Sequence, residues 1–497
     1  MGNDPIHMAG EVEMIVGLEV HVQLQTETKL FCRCSTKFGA PPNTQTCPIC
    51  IGMPGSLPVM NRRAFQLGLQ TAVALHCEIP EFTKWDRKNY YYPDLPKGYQ
   101  ISQYDLPMSQ NGWLDIQDPK GEFEPKRIGI IRAHLEEDAG KSLHDEQHGK
   151  ADTRIDLNRT GTPLLEIVSA PDMRSAKEAR AYLTELRLTL LYLGVSDCNM
   201  QEGSLRVDAN VNLHIQTPAG KVATPIVEIK NLNSFRHVER SLQYEATRQY
   251  EVWQATGKKL GDSPKQTRGW DDAKGITLAQ REKEESSDYR YFPDPDLAPV
   301  ITPQAEVEQV RGGLAELPAA IRSRLEKAYG ISAYDSDVIV IQGRELVAYY
   351  EEVARLSGDG KKSSNWVTQE LLRVLNEQGQ TLDQFPVSAA QLAELVKIVA
   401  AGDLEVTRAK EVFNDMVAHQ RSAAASMQAL GIQKVDLSEL TAICQELVAA
   451  NPKIVADVKG GKQQAVGSLL GQAKKRNPNA NPNDVRRICL ELIEKMG

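Results

Sequence analysis

Cys32-Arg33-Cys34 and Cys47-Pro48-Ile49-Cys50 form two closely spaced thiol pairs with twelve residues between them. Both pairs sit in Gly/Pro-rich stretches, where turns can converge four thiolates on one tetrahedral ion. Four sulfur ligands leave no open coordination position, so the expected role is a structural Zn²⁺ site. Four unrelated thiols are the alternative. Cys77, Cys198, Cys444 and Cys489 are scattered and read as core residues.

A second set of residues suggests phosphoryl chemistry. Glu19 and His21 are two apart on a strand-like run, so they share a face. One such pair fits a surface ion pair as well as a metal site, but the pattern repeats. Glu136, Glu137 and Asp138 follow the apolar approach Ile128-Gly-Ile-Ile131, while Glu166 and Glu228 each interrupt an apolar run. Carboxylates in such runs need partners, and several converging on one face repel unless cations neutralise them. Mg²⁺, a hard ion that takes oxygen ligands, meets that need. Basic residues accompany them. Lys84, Arg87 and Lys88 precede the Tyr-rich run Tyr90–Tyr99, which contains Lys97, and Arg206 stands beside Asp208. Carboxylate-held Mg²⁺ with Lys and Arg is the inventory for clamping a nucleoside triphosphate. The tyrosines suit either base stacking or ordinary loop packing. The chain has no Gly-x4-Gly-Lys-Ser/Thr loop and no dinucleotide-binding glycine pattern, so an ATP site here must be built on a sheet.

The elements that must position these groups are legible as period-two strands. Leu205, Val207, Ala209, Val211, Leu213 and Ile215 alternate with Ser204, Arg206, Asp208, Asn210, Asn212 and His214; a second strand runs through Ile15 to Leu24. One apolar and one polar face predicts antiparallel sheet covered on a single side. Ser175 to Leu193 has helical spacing. The run from Asp288 to Pro295 reads as a boundary because of its two prolines. Beyond it the period is helical, with helices expected at 314–329, 343–356, 366–377, 388–401, 407–419, 437–450, 462–474 and 482–495, and a seam at 402–405. The expected class is α+β: a sheet domain over 11–293, then all-α domains over 294–405 and 406–497.

Composition sets limits. At 497 residues the length suits about three domains. The 41% hydrophobic and 25% charged composition is that of a globular protein, and a net charge of −8 argues against a general polyanion binder. No run approaches the roughly 20 apolar residues of a membrane span. The N-terminus, with Asp4, Pro5, Glu11 and Glu13, lacks a signal-peptide core. Eight cysteines are too sparse for a disulfide scaffold, so a cytoplasmic protein without membrane contact is expected. Residues 453–497 carry nine cations against four anions, a balance of +5 that leaves −13 for the rest. Such a tail, with Lys462, Lys474, Lys475 and Arg476 in or beside one helix, suits either a grip on a phosphate backbone or a solvated surface.

Gly17-Leu-Glu-Val-His-Val22, Asp86-Arg-Lys-Asn-Tyr-Tyr-Tyr-Pro-Asp94 and His134-Leu-Glu-Glu-Asp-Ala-Gly-Lys141 strongly resemble the B subunit of the bacterial aspartyl/glutamyl-tRNA amidotransferases. So do Asp156–Pro163, Glu202–Asn210, Lys230–Phe235 and Asp288–Pro293, and the last part is similar to the YqeY-like helical family. The resemblance runs from about residue 12 to the C-terminus. It implies a cradle similar to glutamine synthetase and guanido kinases. It also implies ATP-dependent phosphorylation of the side-chain carboxylate of Glu-tRNA(Gln) or Asp-tRNA(Asn), followed by amidation. Ammonia would come from an amidase-type glutaminase, the A subunit, with a small C subunit to complete a heterotrimer. By the same resemblance Glu19, His21, Glu136, Glu137, Glu166 and Glu228 would hold Mg²⁺. Lys88 and Lys97 would serve the ATP phosphates, and Arg206 and Asp208 would line the same cavity. A non-catalytic tRNA-binding scaffold is the alternative, supported by the basic tail. A self-sufficient glutamine-dependent ligase would need its own glutaminase, and neither a Gly-Ser-Ser-rich amidase loop nor a convincing Cys/His pair is present. Lys361-Lys-Ser-Ser-Asn365 reads as a loop ahead of a helix.

Overall fold

The computed structural model describes residues 12–144, 153–280, 288–432, 437–477 and 479–496. Asp4, Pro5 and Glu11 of the signal-peptide argument lie outside them. The chain divides into two compact units, 1–318 and 319–497.

The first unit is built on a nine-stranded sheet. Along its main path the strands run Ile276–Ala279, Gln266–Asp271, Val227–Lys230, Leu205–Thr217, Val12–Gln23, Pro163–Ser169, Lys126–Glu137 and Gln110–Ile116; Gly220–Ala223 pairs on Leu205–Thr217. Alternation decides what each face carries. Leu205, Val207, Ala209, Val211, Leu213 and Ile215 are all buried, as are Val16, Leu18, Val20 and Val22. Each of these Val, Leu and Ile side chains contributes about 1.5–3 kcal/mol on full burial. Helices Arg62–Ala74, Ala176–Leu193 and Phe235–Thr256 pack with the sheet. Ser175 caps the second of these by accepting from Glu178 N, and Gly194 ends it in the left-handed region at φ 65°. The polar strand residues are thereby left for the site.

The expectation of an antiparallel sheet needs one correction. Val227–Lys230 and Gln266–Asp271 pair in parallel. The 22-residue helix Phe235–Thr256 lies between them in sequence and supplies the crossover that parallel pairing requires. The run Asp288–Pro295 is also more than a boundary. Phe292–Pro293 pairs antiparallel with Asp86–Arg87, Arg87 Nε donates to Asp294 Oδ2 at 2.8 Å, and Asn89 Nδ2 donates to Arg290 O at 2.7 Å. Proline is compatible with a short edge strand. Helix Gln304–Gly313 places Val307 in the sheet-domain core, so this unit extends past residue 293.

The second unit is helical. Helices occur where periodicity predicts them, with shifted ends: Pro318–Tyr329, Arg344–Ser357, Ala389–Ala400, Val406–His419, Leu437–Ala450 and Pro482–Lys495. The expected loop at 361–365 is instead the helix Gly360–Asn365, started by Asp359 accepting from Lys362 N. It runs through a π stretch, Trp366–Leu371, into Leu372–Gln378. The 462–474 segment is split into a 3₁₀ turn, Gln463–Val466, and helix Gly467–Arg476. Short helices Ala333–Ile341, Ala423–Ala429 and Pro452–Lys459 were not expected. Phe413 packs its ring 5.7 Å from Trp366 and 6.3 Å from Phe385, which ties Val406–His419 to the helices before the 402–405 seam. A separate apolar core joins Leu440, Cys444, Leu447 and Val448 to Val485, Ile488, Cys489 and Ile493. Among the described residues no helix is long and apolar enough to cross a membrane.

Candidate active site

Strand register assembles the polar face. His21 lies opposite Arg206 on one side and Glu166 on the other, and Glu166 also faces His134. One step along, Glu19 lies opposite Asp208, and Asn210 opposite Glu228. Two groups of ligand atoms result, each with all atoms within 4.8 Å of one another: His21, Glu136 and Glu166, and Glu19, Asp208 and Glu228. In the first, His21 Nε2 is 3.3 Å from Glu166 Oε2 and 3.8 Å from Glu136 Oε1. In the second, Asn210 Nδ2 donates to Glu19 Oε1 at 2.9 Å and Lys230 Nζ to Asp208 Oδ2 at 2.6 Å.

The electrostatics favour an ionised cluster. Burial pushes the Glu166 carboxyl upward, but His134 and His21 outweigh it and hold it below the usual carboxylate range. Glu136 is also lowered: burial and Glu166 oppose ionisation, while His134, Lys88 and His21 prevail. Lys88 stays charged despite burial because Glu136 and Glu166 draw on it. Its Nζ lies 5.0 Å from the Tyr289 ring centroid and 6.0 Å from that of Tyr90. The donor sets fit Mg²⁺, since each supplies at least two carboxylates. The side-chain oxygen of Asn210 and Nδ1 of His134 are buried with no hydrogen-bond partner among the described residues.

His21 and Glu136 of the first group and Asp208 of the second line a cleft of about 850 Å³, together with Lys88, Arg206 and Lys230. Asp138 lines it too; the sequence marks it as one of three adjacent carboxylates without giving it a role of its own. It accepts from Gln23 Nε2 at 2.8 Å and from Arg206 at 2.8 Å. Burial would raise its carboxyl, but Arg206 and Arg159 lower it. Its place in the run 134–138 was the available signal. Lys230 and Tyr289 were likewise quoted in motifs without a role.

Two expected members are elsewhere. Glu137 does not join the carboxylate groups, because consecutive strand residues point to opposite faces. Its Oε1 accepts from Ile101 N at 2.9 Å and pairs with Lys97 Nζ. Lys97 is therefore engaged away from Lys88. Glu137 and Lys97 together line a small cavity of about 50 Å³ with Lys29, Cys32 and Cys50.

Cys32, Cys34, Cys47 and Cys50 bring their sulfurs within 4.8 Å of one another, which fits a tetrahedral Zn²⁺. Cys47 N donates to Cys50 Sγ at 3.1 Å. The Cys50 thiol is lowered to about 4, first by Cys32, against burial and with help from the Cys47 backbone and Lys29. Cys77, Cys198, Cys444 and Cys489 are buried. In the second unit Lys462, Lys474, Lys475 and Arg476 are exposed. Lys462 pairs with Asp457 at 3.4 Å and Arg476 with Glu446 at 2.6 Å.

Residues 14–308 match the model of the GatB/GatE catalytic domain, and residues 348–493 that of the GatB domain. The B subunit of the aspartyl/glutamyl-tRNA(Asn/Gln) amidotransferase of Rhodopirellula baltica is 59% identical over 485 residues, covering 98% of this chain and 97% of that protein. The corresponding B subunits of Carboxydothermus hydrogenoformans and Moorella thermoacetica are each 45% identical; they cover 98% and 97% of this chain and are covered over their full lengths. The site-bearing sheet lies within the first matched domain and the basic helices within the second, so the chain belongs to the B-subunit family of the aspartyl/glutamyl-tRNA(Asn/Gln) amidotransferases.

Proposed function

We propose that this chain is the amidating subunit of a tRNA-dependent amidotransferase working in the cytoplasm. It uses ATP to phosphorylate the side-chain carboxylate of Glu-tRNA(Gln), Asp-tRNA(Asn) or both, and ammonia then displaces the phosphate. The observation that carries this reading is the pair of carboxylate groups on one sheet face, which place His21, Glu136 and Asp208 on the wall of a cleft that Lys88 and Arg206 also line.

A carboxylate is a poor electrophile, so its oxygen must first become a good leaving group. Attack of that oxygen on the γ-phosphorus forms an acyl phosphate and releases ADP; attack of ammonia on the acyl carbon releases phosphate and leaves the amide. His21, Glu136 and Glu166 would hold one Mg²⁺, and Glu19, Asp208 and Glu228 a second. An ion held there would neutralise charge on the triphosphate. Lys88 and Arg206 attract the phosphates, and Asp138 fixes the Arg206 guanidinium in the cleft. No protein nucleophile is required.

That the relatives are named as B subunits supports a complex in which a glutaminase, the A subunit, and a small C subunit accompany this chain. We assign the four cysteines to a structural Zn²⁺ and the exposed tail cations to tRNA phosphates. We also retain 406–497 as the YqeY-like portion, although Phe413 packs toward the preceding helices. The test is purified chain, with and without its partners, given Glu-tRNA(Gln), ATP, Mg²⁺ and free ammonia. Formation of Gln-tRNA(Gln) and ADP is expected. Tight tRNA binding without ATP cleavage in the full complex would favour the scaffold reading.

A further inference from the structure

Lys29 is unusual in being a fully buried lysine, 0% exposed. No described carboxylate forms an ion pair with it. Its Nζ donates to Gln45 O at 2.7 Å and to Leu157 O at 3.5 Å, and it lies 3.6 Å from Cys50 Sγ. Glu137 borders the same small cavity but is engaged by Lys97. The backbone also fixes the lysine in place. Lys29 N donates to Cys34 O at 3.0 Å, and Leu30 N to Gly161 O at 2.8 Å. A side chain added at Gly161, whose φ is +83°, would meet Cys50 Cβ at 3.5 Å and Lys29 Cδ at 3.6 Å.

An ammonium held out of water by carbonyl dipoles alone is costly. Four thiolates around one divalent ion carry a net charge of −2, which is costly in the same surroundings. Placing the two side by side relieves both penalties, and the sulfur facing Nζ belongs to the most buried of the four cysteines. We propose that Lys29 is the internal counter-cation of the four-cysteine site. This rests on the zinc assignment above. Lys29 is not itself a ligand; it lets a doubly negative metal centre sit against the sheet domain's interior, so it governs how firmly the metal is retained.

The test uses the full chain and follows zinc content and zinc release to a chromophoric chelator. Wild type is expected to hold one zinc per chain. Lys29→Met, similar in shape but neutral, should release zinc at least tenfold faster, while Lys29→Arg should stay close to wild type. In cobalt-loaded protein, Lys29→Met should shift the thiolate-to-cobalt absorption, a signal that a purely packing role would not move. Lys29→Gln keeps hydrogen-bond donors without charge, so it carries the same comparison if the Met variant does not fold. Normal zinc content with equal release in wild type, Met and Gln variants would overturn the counter-cation. Release as fast from Lys29→Arg as from Lys29→Met would also overturn it. Zinc-free wild type is a different result, and overturns the zinc assignment itself.

Discussion

Glu136 and Glu137 are consecutive residues of one strand, yet their carboxylates serve opposite faces of the sheet. Glu136 lies 3.8 Å from His21 on the cleft side, whereas Glu137 accepts from Ile101 N and pairs with Lys97 near the cysteines. Substituting either with Gln removes one charge and little shape. Glu136→Gln should slow acyl phosphate formation by at least about 100-fold with tRNA affinity nearly unchanged. Glu137→Gln leaves Lys97, a buried cation, without its counter-charge, and should cost about 3 kcal/mol of stability. ADP release kinetics and thermal melting of both variants check this; equal catalytic losses without a stability difference would contradict the assignment.

Arg206 depends on Asp138 for its orientation, through a 2.8 Å bond inside the cleft. Asp138→Asn keeps the shape and weakens that hold. If Arg206 serves ground-state phosphate binding, KM for ATP should rise about tenfold, with a smaller change in kcat. Steady-state kinetics with saturating aminoacyl-tRNA decide it, and a loss confined to kcat would move Arg206 to the transition state.

Asp138 also gives a pH signature. Its carboxyl is held below its ordinary value by Arg206 and Arg159 in spite of burial. Its contribution to stability is therefore present above the unfolded value of about 3.9 and is lost as pH falls through the lower folded value. The melting-temperature advantage of wild type over Asp138→Asn should be full near neutrality and shrink below about pH 4. An advantage that instead disappeared on the alkaline side would contradict this sign.

Strand alternation makes much of the polar face legible in the sequence. Glu19 with His21 and Arg206 with Asp208 each share a face as period two requires, and the register places the two pairs opposite each other. Glu137 and Lys97 were grouped with the cleft by the resemblance, although alternation from His134 and Glu136 sets Glu137 on the face of Leu135, where Lys97 pairs with it. Asp138 was noticed as a carboxylate but given no role of its own, because its partners, Gln23 and Arg206, are 115 and 68 residues away in sequence. The parallel pair at 227–230 and 266–271 was hidden for a similar reason: short strands carry no mark of direction, and only the crossover helix reveals it. The helix at 360–365 depends on the Asp359 cap more than on apolar spacing.

The cysteine cluster yields a prediction separate from the cleft. Cys47→Ser should abolish stoichiometric zinc and lower the melting temperature, because a structural site contributes directly to folding. ATP cleavage per folded chain should fall much less, since neither proposed Mg²⁺ group contains a cysteine. Metal analysis beside turnover measured on the folded fraction separates the two effects. Loss of turnover at unchanged melting temperature would assign the cysteines a direct part in the chemistry.

The tail can be tested without disturbing the helices before it. Phe413 packs against Trp366 and Phe385, so a cut at 406 would remove part of that cluster, whereas a cut after residue 432 removes the separate core of Leu440 to Ile493 as a whole. Lys462, Lys474, Lys475 and Arg476 are exposed around helix Gly467–Arg476, and phosphate contacts position RNA without reading its bases. Changing all four to Ala should raise KM for aminoacyl-tRNA about tenfold or more. It should also flatten the log–log salt dependence of affinity by up to about 3.6, at roughly 0.7 to 0.9 for each phosphate no longer neutralised. The truncated chain should show the same weakening while retaining ATP cleavage. Two of the four cations already pair with Asp457 and Glu446, so the salt slope counts how many exchange those partners for phosphates. A falling melting temperature with unchanged tRNA affinity would instead make these charges a solvated surface of a packing element.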